Sequence, residues 1–176
     1  MFVHQAKIRK PNLAQELAWI GDQLSTIALV HGLVERGENF LEVTKLSIGI
    51  VNHLSESHGI AINFKESIGP SSWVLPESEA ATFALVVTEL LSNAAKHGSA
   101  DDVAFTIEDK TDYLICRITN IGQLAGDPMS RPTPVSGLAI LKLLVADPDT
   151  ALRLYQRNGQ VHAEYRIEPP YIDKVT

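Results

Sequence analysis

The chain has a single cysteine, Cys116. One thiol cannot build an internal disulfide framework or a cysteine-cluster zinc site. Long apolar runs are missing too: no stretch approaches the roughly 20 residues that a helix needs to span a bilayer. The N-terminus has no basic region followed by a long apolar stretch, so no secretory leader is read there. Positive charge is scarce. The 15 Lys and Arg stand against 21 Asp and Glu, a formal net charge of −6. That argues against a nucleic-acid partner, which usually requires a basic patch. No internal repeat and no low-complexity tract interrupts the sequence. The expectation is a cytoplasmic protein, or the cytoplasmic part of a larger one.

What is present fits one ordinary domain with a real core. The 176 residues are 45% apolar and 20% charged, within the usual range for a globular chain. After a mixed opening, read as extended, Pro11-Asn12 looks like a helix start. Leu13, Leu17, Ile20, Leu24, Ile27, His31 and Val34 are then spaced alternately by four and three. This spacing predicts a narrow seam of the coiled-coil type, ended by Gly37. A second helix is expected over 41–57, with Val43, Leu46, Ile50 and Leu54 on one face and Gly59 closing it.

Ile60, Ile62 and Phe64 alternate as in a strand, 69–72 reads as a turn, and Trp73-Val74-Leu75 suits a short strand. Pro76 opens a long helix with Glu77 and Glu79 in its first turn, where acids favour the positive end of the dipole; Gly98 stops it. Val103, Phe105 and Ile107, then Leu114, Cys116 and Ile118, predict a hairpin. Gly126, Pro128, Pro132 and Pro134 exclude regular structure from 123 to about 136. A helix is expected over 137–146. Asn158-Gly159 between alternating apolar residues marks a final hairpin. Hairpins mixed with helices predict an α+β fold: a two-layer sandwich with a mixed, mostly antiparallel sheet and helices on one face. The long first helix stands apart, giving a division into 1–38 and 39–176.

The most informative stretch is Glu89-Leu-Leu-Ser-Asn-Ala-Ala-Lys-His97. Glu89, Asn93 and His97 recur every four residues and form one helical stripe, which Lys96 can also reach. Such groups are costly to bury in an apolar helix unless something pairs with them. A metal ion on phosphates would do so, because carboxylate and amide oxygens suit Mg²⁺. The bland alternative is a solvated helix face. Parity supplies a second element. If Leu114, Cys116 and Ile118 face the core, so does Asn120, and Gly122 follows where a backbone could approach a planar ligand. Gly137, at a helix start, could offer amides to an anion; taken alone it is equally a plain helix start. The remaining histidines, His53, His58 and His162, read as surface or hairpin residues, since no pair has metal spacing on a shared face.

This constellation resembles the Bergerat-fold ATPases, the group containing gyrase, MutL-type repair proteins and histidine kinases. The 89–97 stretch is similar to their N-box. Ile118-Thr-Asn-Ile-Gly-Gln-Leu124 stands where the family has its Asp-x-Gly-x-Gly adenine box, and Ser136-Gly-Leu-Ala-Ile140 resembles a reduced Gly-x-Gly-Leu box. Within the group the sequence is most similar to sensor histidine kinases. Ile27-Ala-Leu-Val-His-Gly-Leu33 resembles the second helix of a dimerisation hairpin. The resemblance implies ATP and Mg²⁺ as cofactors, transfer of the γ-phosphate to a histidine, a response regulator as partner and a homodimer. It implies that Glu89 polarises water or the acceptor imidazole and helps hold the metal. Asn93 would hold Mg²⁺, while Lys96 and His97 touch phosphates or ribose. Asn120 would meet the adenine amino group, Gly122 would admit the base, and Gly137 and Leu138 would border the phosphates.

Three positions depart from the family pattern: Asn120 replaces an aspartate, and Leu124 and Ala139 replace glycines. An amide still accepts from the adenine amino group, but without charge, which implies weaker binding. His31 is not where the family is phosphorylated, so the acceptor histidine is expected from a missing segment or another chain. Two rivals follow from these departures. One is a non-catalytic scaffold or histidine phosphotransfer protein of the same fold. The other is an anti-sigma-type serine kinase.

Overall fold

The computed structural model describes residues 11–35, 40–67, 72–98, 102–124 and 137–175. The expected extended opening, Gly37, the 69–71 part of the turn and most of the Pro-rich segment lie outside these residues. The chain runs α1 (Pro11–Val34), β1 (Phe40–Glu42), α2 (Val43–His58), β2 (Ile62–Ser67), β3 (Ser72–Pro76) and α3 (Glu77–His97). It continues through β4 (Val103–Lys110), β5 (Tyr113–Ile121), α4 (Gly137–Leu144), α5 (Pro148–Ala151), β6 (Leu152–Arg157), β7 (Gln160–Ile167) and β8 (Asp173–Val175). Among the described residues, no helix is long and apolar enough to cross a membrane.

The main sheet has the order β2-β4-β5-β7-β6. Only the β2–β4 pair is parallel; the other neighbours are antiparallel. The mixed, mostly antiparallel α+β sandwich expected from the sequence is therefore present. Alternation explains its two faces. Val103, Phe105 and Ile107 of β4 and Leu114, Cys116 and Ile118 of β5 are buried, and α3 packs on β4, β5 and β7. Residues between them turn the other way, where Arg117 pairs with Glu108 and with Glu164. Asn158 and Gly159 hold the positive φ values, 52° and 76°, of the final tight turn, as an Asn-Gly turn requires. Gly59, at φ 66°, closes α2 and donates its N–H to Ser55 O, the left-handed cap that glycine accepts without strain.

Sequence periodicity misses β1, β8 and α5, which are too short to show a period. β1, β3 and β8 form a separate three-stranded sheet. It is tied to the β4–β5 hairpin through Asp109, which accepts from Trp73 Nε1 and Lys174 Nζ, each at 3.0 Å.

Within the chain, α1 buries a face other than the one that carries Ile20, Leu24 and Ile27 of the expected seam. Ile20, Leu24 and Ile27 are 45%, 63% and 44% exposed, whereas Val30 and Leu33 join the core and Asp22 and Thr26 are buried. Leu29 and the seam residue Val34 also pack against the core. The physical reason is polar complementarity with the partner surface. Thr26 Oγ1 shares a buried hydrogen bond of 3.0 Å with Thr88 Oγ1 of α3. His58 Nε2, at the end of α2, lies 2.7 Å from Asp22 Oδ1, so His58 is a partner of α1 and not a plain surface residue. His31 is exposed beside Glu35.

Candidate functional site

The long helix α3 begins with Glu77 and Glu79 and ends with Lys96 and His97, each set matched to its end of the helix dipole. Its apolar residues seat it on the sheet, and that seating decides what the polar stripe meets. Glu89 is 3% exposed. Asn93 Nδ2, one turn on, donates to Glu89 Oε1 at 2.7 Å. The carboxylate is also pressed against the start of α4: a Cβ added to Gly137 would overlap Glu89 Oε1. Only a glycine lets α4 approach that closely.

Asn120 sits at the end of β5, facing the core as parity predicts, and is 4% exposed. Its Nδ2 donates to Ile121 O at 3.2 Å. Gly122 lies close behind it, where an added Cβ would be 3.1 Å from Asn120 Nδ2 and 3.3 Å from His97 O.

Asn93, His97 and Asn120 line one cavity of about 330 Å³, together with Leu138 of α4. Three stretches far apart in sequence thus surround one space. Its walls are apolar: Leu90 and Ala94 from α3, and Leu154, Val161 and Ala163 from the last hairpin. A largely apolar cavity with a few polar groups is the usual form of a small-molecule site. At its mouth, the Leu124 N–H donates to Gln156 Oε1 at 3.1 Å, pinning the end of β5 to β6. Glu89 reaches the cavity only through Asn93. Gly122 and Gly137 act by letting Asn120 and Glu89 pack. Lys96 is exposed and does not line the cavity.

Sequence reasoning missed the apolar walls, because strand alternation shows only that Val161 and Ala163 share a face. It also took Gly98 as a helix stop and nothing more. Its φ and ψ are −121° and −163°, extended values open to any residue. What demands glycine there is space: a Cβ would overlap Asn120 Nδ2. A second cavity, of about 270 Å³, lies at the other end of α3 near Glu79 and Tyr165 and contains none of the stripe. Cys116 is fully buried, and burial pushes its thiol far above the ordinary range, which removes it as a nucleophile.

Among the described residues, no cluster of three or more His, Cys, Asp or Glu side chains could hold a metal ion. The hard oxygen donors at the site are the Glu89 carboxylate and the Asn93 amide. They suit Mg²⁺ that takes the rest of its shell from phosphates and water, so the donor set fits that ion.

No family model matches the sequence, and no curated protein does. Solved structures match the fold. The histidine kinase domain of the Erythrobacter litoralis EL346 blue-light activated histidine kinase superposes with a TM-score of 0.67 at 13% identity, over 88% of this chain and 81% of that one. The catalytic domain of histidine kinase ThkA gives a TM-score of 0.60 at 15% identity, over 73% of this chain and 93% of that one. ThkA in complex with response regulator protein TrrA gives 0.54 at 17% identity, over 85% of this chain and 49% of the kinase chain. The chain therefore has the fold of these histidine kinase catalytic domains.

Proposed function

We propose that this chain is the ATP-binding catalytic region of a two-component sensor histidine kinase. The observation that carries the reading is the convergence of Asn93 and Asn120, from α3 and the end of β5, on one apolar cavity with Glu89 buried beside them. Phosphoryl transfer needs mainly positioning and charge neutralisation. The apolar walls stack the purine, and Asn120 meets its amino group. His97, at the mouth, and Lys96, next to it on the exposed side, contact phosphates or ribose. Leu138 borders the phosphates at the start of α4, where Gly137 admits Glu89. Mg²⁺, bound through Asn93 and Glu89, would neutralise phosphate charge. The Glu89 carboxylate, which accepts from the Asn93 amide, would accept a proton or polarise the acceptor imidazole.

The acceptor histidine comes from a segment or chain other than the described residues, and a response regulator receives the phosphoryl group. The ThkA–TrrA complex is a precedent for such a partner on the same fold. The apolar stripe of Ile20, Leu24 and Ile27, exposed on α1, supports a homodimer.

Titration of Mg-ATP by calorimetry tests the reading. The wild-type protein is expected to bind, and Asn93→Ala to lose most of the Mg²⁺-dependent affinity. No heat from the folded wild type at about millimolar nucleotide would refute it. One observation favours a second reading, a histidine phosphotransfer relay: the His31 side chain is 69% exposed on α1. Under that reading a phosphorylated regulator labels the wild type and not His31→Gln. Absence of label rejects the relay.

A further inference from the structure

We propose that the cavity at the start of α3 is a second ligand site, suited to a small primary ammonium ion with an apolar body. Its central groups are the Glu79 carboxylate and the Tyr165 hydroxyl, whose side chains line the same space. The site is separate from the nucleotide cavity, and its occupancy is read without any nucleotide.

The cavity, of about 270 Å³, lies between the first turns of α3, the turn after α4, α5 and the end of β7. Tyr165 is 6% exposed, yet among the described residues its hydroxyl has no hydrogen-bond partner. A buried hydroxyl left without a partner costs free energy, and the space beside this one is the cavity. Burial, with Cys116 and Glu79 adding to it, pushes the phenol well above its ordinary range. It therefore stays neutral, with an oxygen free to accept. Glu79 acts on it through charge and not through a hydrogen bond. A third group between the two would satisfy both. Asp147 adds a further carboxylate: it precedes α5 without making a cap hydrogen bond, and it too lines the cavity.

Charge selects a cation. Glu79, Asp147 and Glu168 all line the space, and the one cationic residue on its wall, Arg166, is engaged by Glu168 at 2.6 Å and by the Tyr113 ring at 4.0 Å. The cation is organic and not a metal ion. Among the described residues no three His, Cys, Asp or Glu side chains gather closely enough to hold a metal. Apolar walls point the same way: Leu143, Ile167 and Tyr171 stand beside the carboxylates, the mixture usual in a small-molecule site. Leu143 is 86% exposed and Tyr171 42%, surface that an apolar body would remove from water. A primary ammonium carries three N–H donors, enough to meet the Glu79 carboxylate and the Tyr165 oxygen together.

The test is titration of phenethylammonium chloride into the isotope-labelled protein, followed by amide NMR. Glu79→Gln and Tyr165→Phe are titrated alongside, with circular dichroism to establish folding. Phenylpropionate, of similar size and opposite charge, is the control. The wild type is expected to saturate with a dissociation constant of about 1 mM, the scale for so small a ligand. The shifted amides should lie at the start of α3, in 144–147 and at the end of β7. Glu79→Gln should weaken binding about tenfold and Tyr165→Phe about threefold, the scales of a charged and a neutral hydrogen bond. Phenylpropionate should give no saturable shift. If Glu79→Gln does not fold, Tyr165→Phe decides, since it keeps the ring beside Phe83 and removes only the oxygen. Equal binding of the two ions overturns the proposal, as does unchanged affinity in a folded variant. Shifts confined to the nucleotide cavity overturn it too, and so does the absence of a saturable shift at about 20 mM ammonium ion.

Discussion

Replacing Gly137 with alanine tests the junction between α3 and α4, because helix propensity and packing predict opposite signs. On propensity alone, glycine to alanine favours a helix by up to about 1 kcal/mol. Gly21, within α1, shows the unopposed case: its added Cβ meets nothing within 4 Å. Gly21→Ala should therefore stabilise the protein by about 0.5–1 kcal/mol. At Gly137 the added Cβ overlaps Glu89 Oε1. The end of a glutamate is flexible in principle, but this one is 3% exposed and accepts from Asn93 at 2.7 Å. Displacing it forfeits a hydrogen bond to a charged group, about 1.5–3 kcal/mol. Set against the propensity gain, the net loss is about 1–2 kcal/mol. For a chain of this size that lowers Tm by about 2–8 °C, while Gly21→Ala raises it by about 1–4 °C. Thermal unfolding followed by circular dichroism, at one protein concentration and pH, measures both. A rise in Tm for Gly137→Ala equal to that for Gly21→Ala would show that Glu89 yields freely, and the tight junction would be wrong.

The remaining predictions concern the helix face and the outer sheet face. Leu24→Lys, at a position 63% exposed, should leave monomer stability within about 0.5 kcal/mol yet reduce self-association in sedimentation. Leu33→Ala, at a position 7% exposed, should cost about 2–5 kcal/mol in urea unfolding; the reverse ranking would restore the coiled-coil seam as the packing face. Glu164 gives a pH signature. Burial pushes its carboxyl up, but the Tyr155 hydroxyl and the Arg117 guanidinium outweigh that and hold it below the usual range. A depressed carboxyl stabilises the fold above its unfolded value, about 4.3, and the contribution is lost as pH falls through the lower folded value. Glu164→Gln should therefore lose less stability than the wild type on acidification below about pH 4. Parallel Tm–pH curves for the two proteins would contradict the assignment.

Much of the site was legible because its residues obey simple periods. Glu89 and Asn93 are one turn apart, so any helix there places them together. Asn120 follows Leu114, Cys116 and Ile118 by strand parity, so burial of the apolar three carries the amide inside. The role of Gly98 was not legible, because a glycine after a helix already has a sufficient local explanation, and only its contact with a side chain 22 residues on supplies another. The face that α1 buries within the chain was not legible for a related reason. Its apolar seam and its packing face both satisfy helical spacing, and the choice between them lies on α3 and α2.

What the sequence alone determined is whatever depends on near neighbours: the helices and hairpins, their caps and turns, the parity of each strand, and the polar stripe with its amide counterpart. Tertiary structure decided the parallel placement of β2, the face that α1 buries, the apolar walls of the cavity and the glycines that let Glu89 and Asn120 pack. These depend on which distant surfaces meet, and a local period is blind to that. Thr26 finds Thr88 across 62 residues, and no spacing within either helix announces the other.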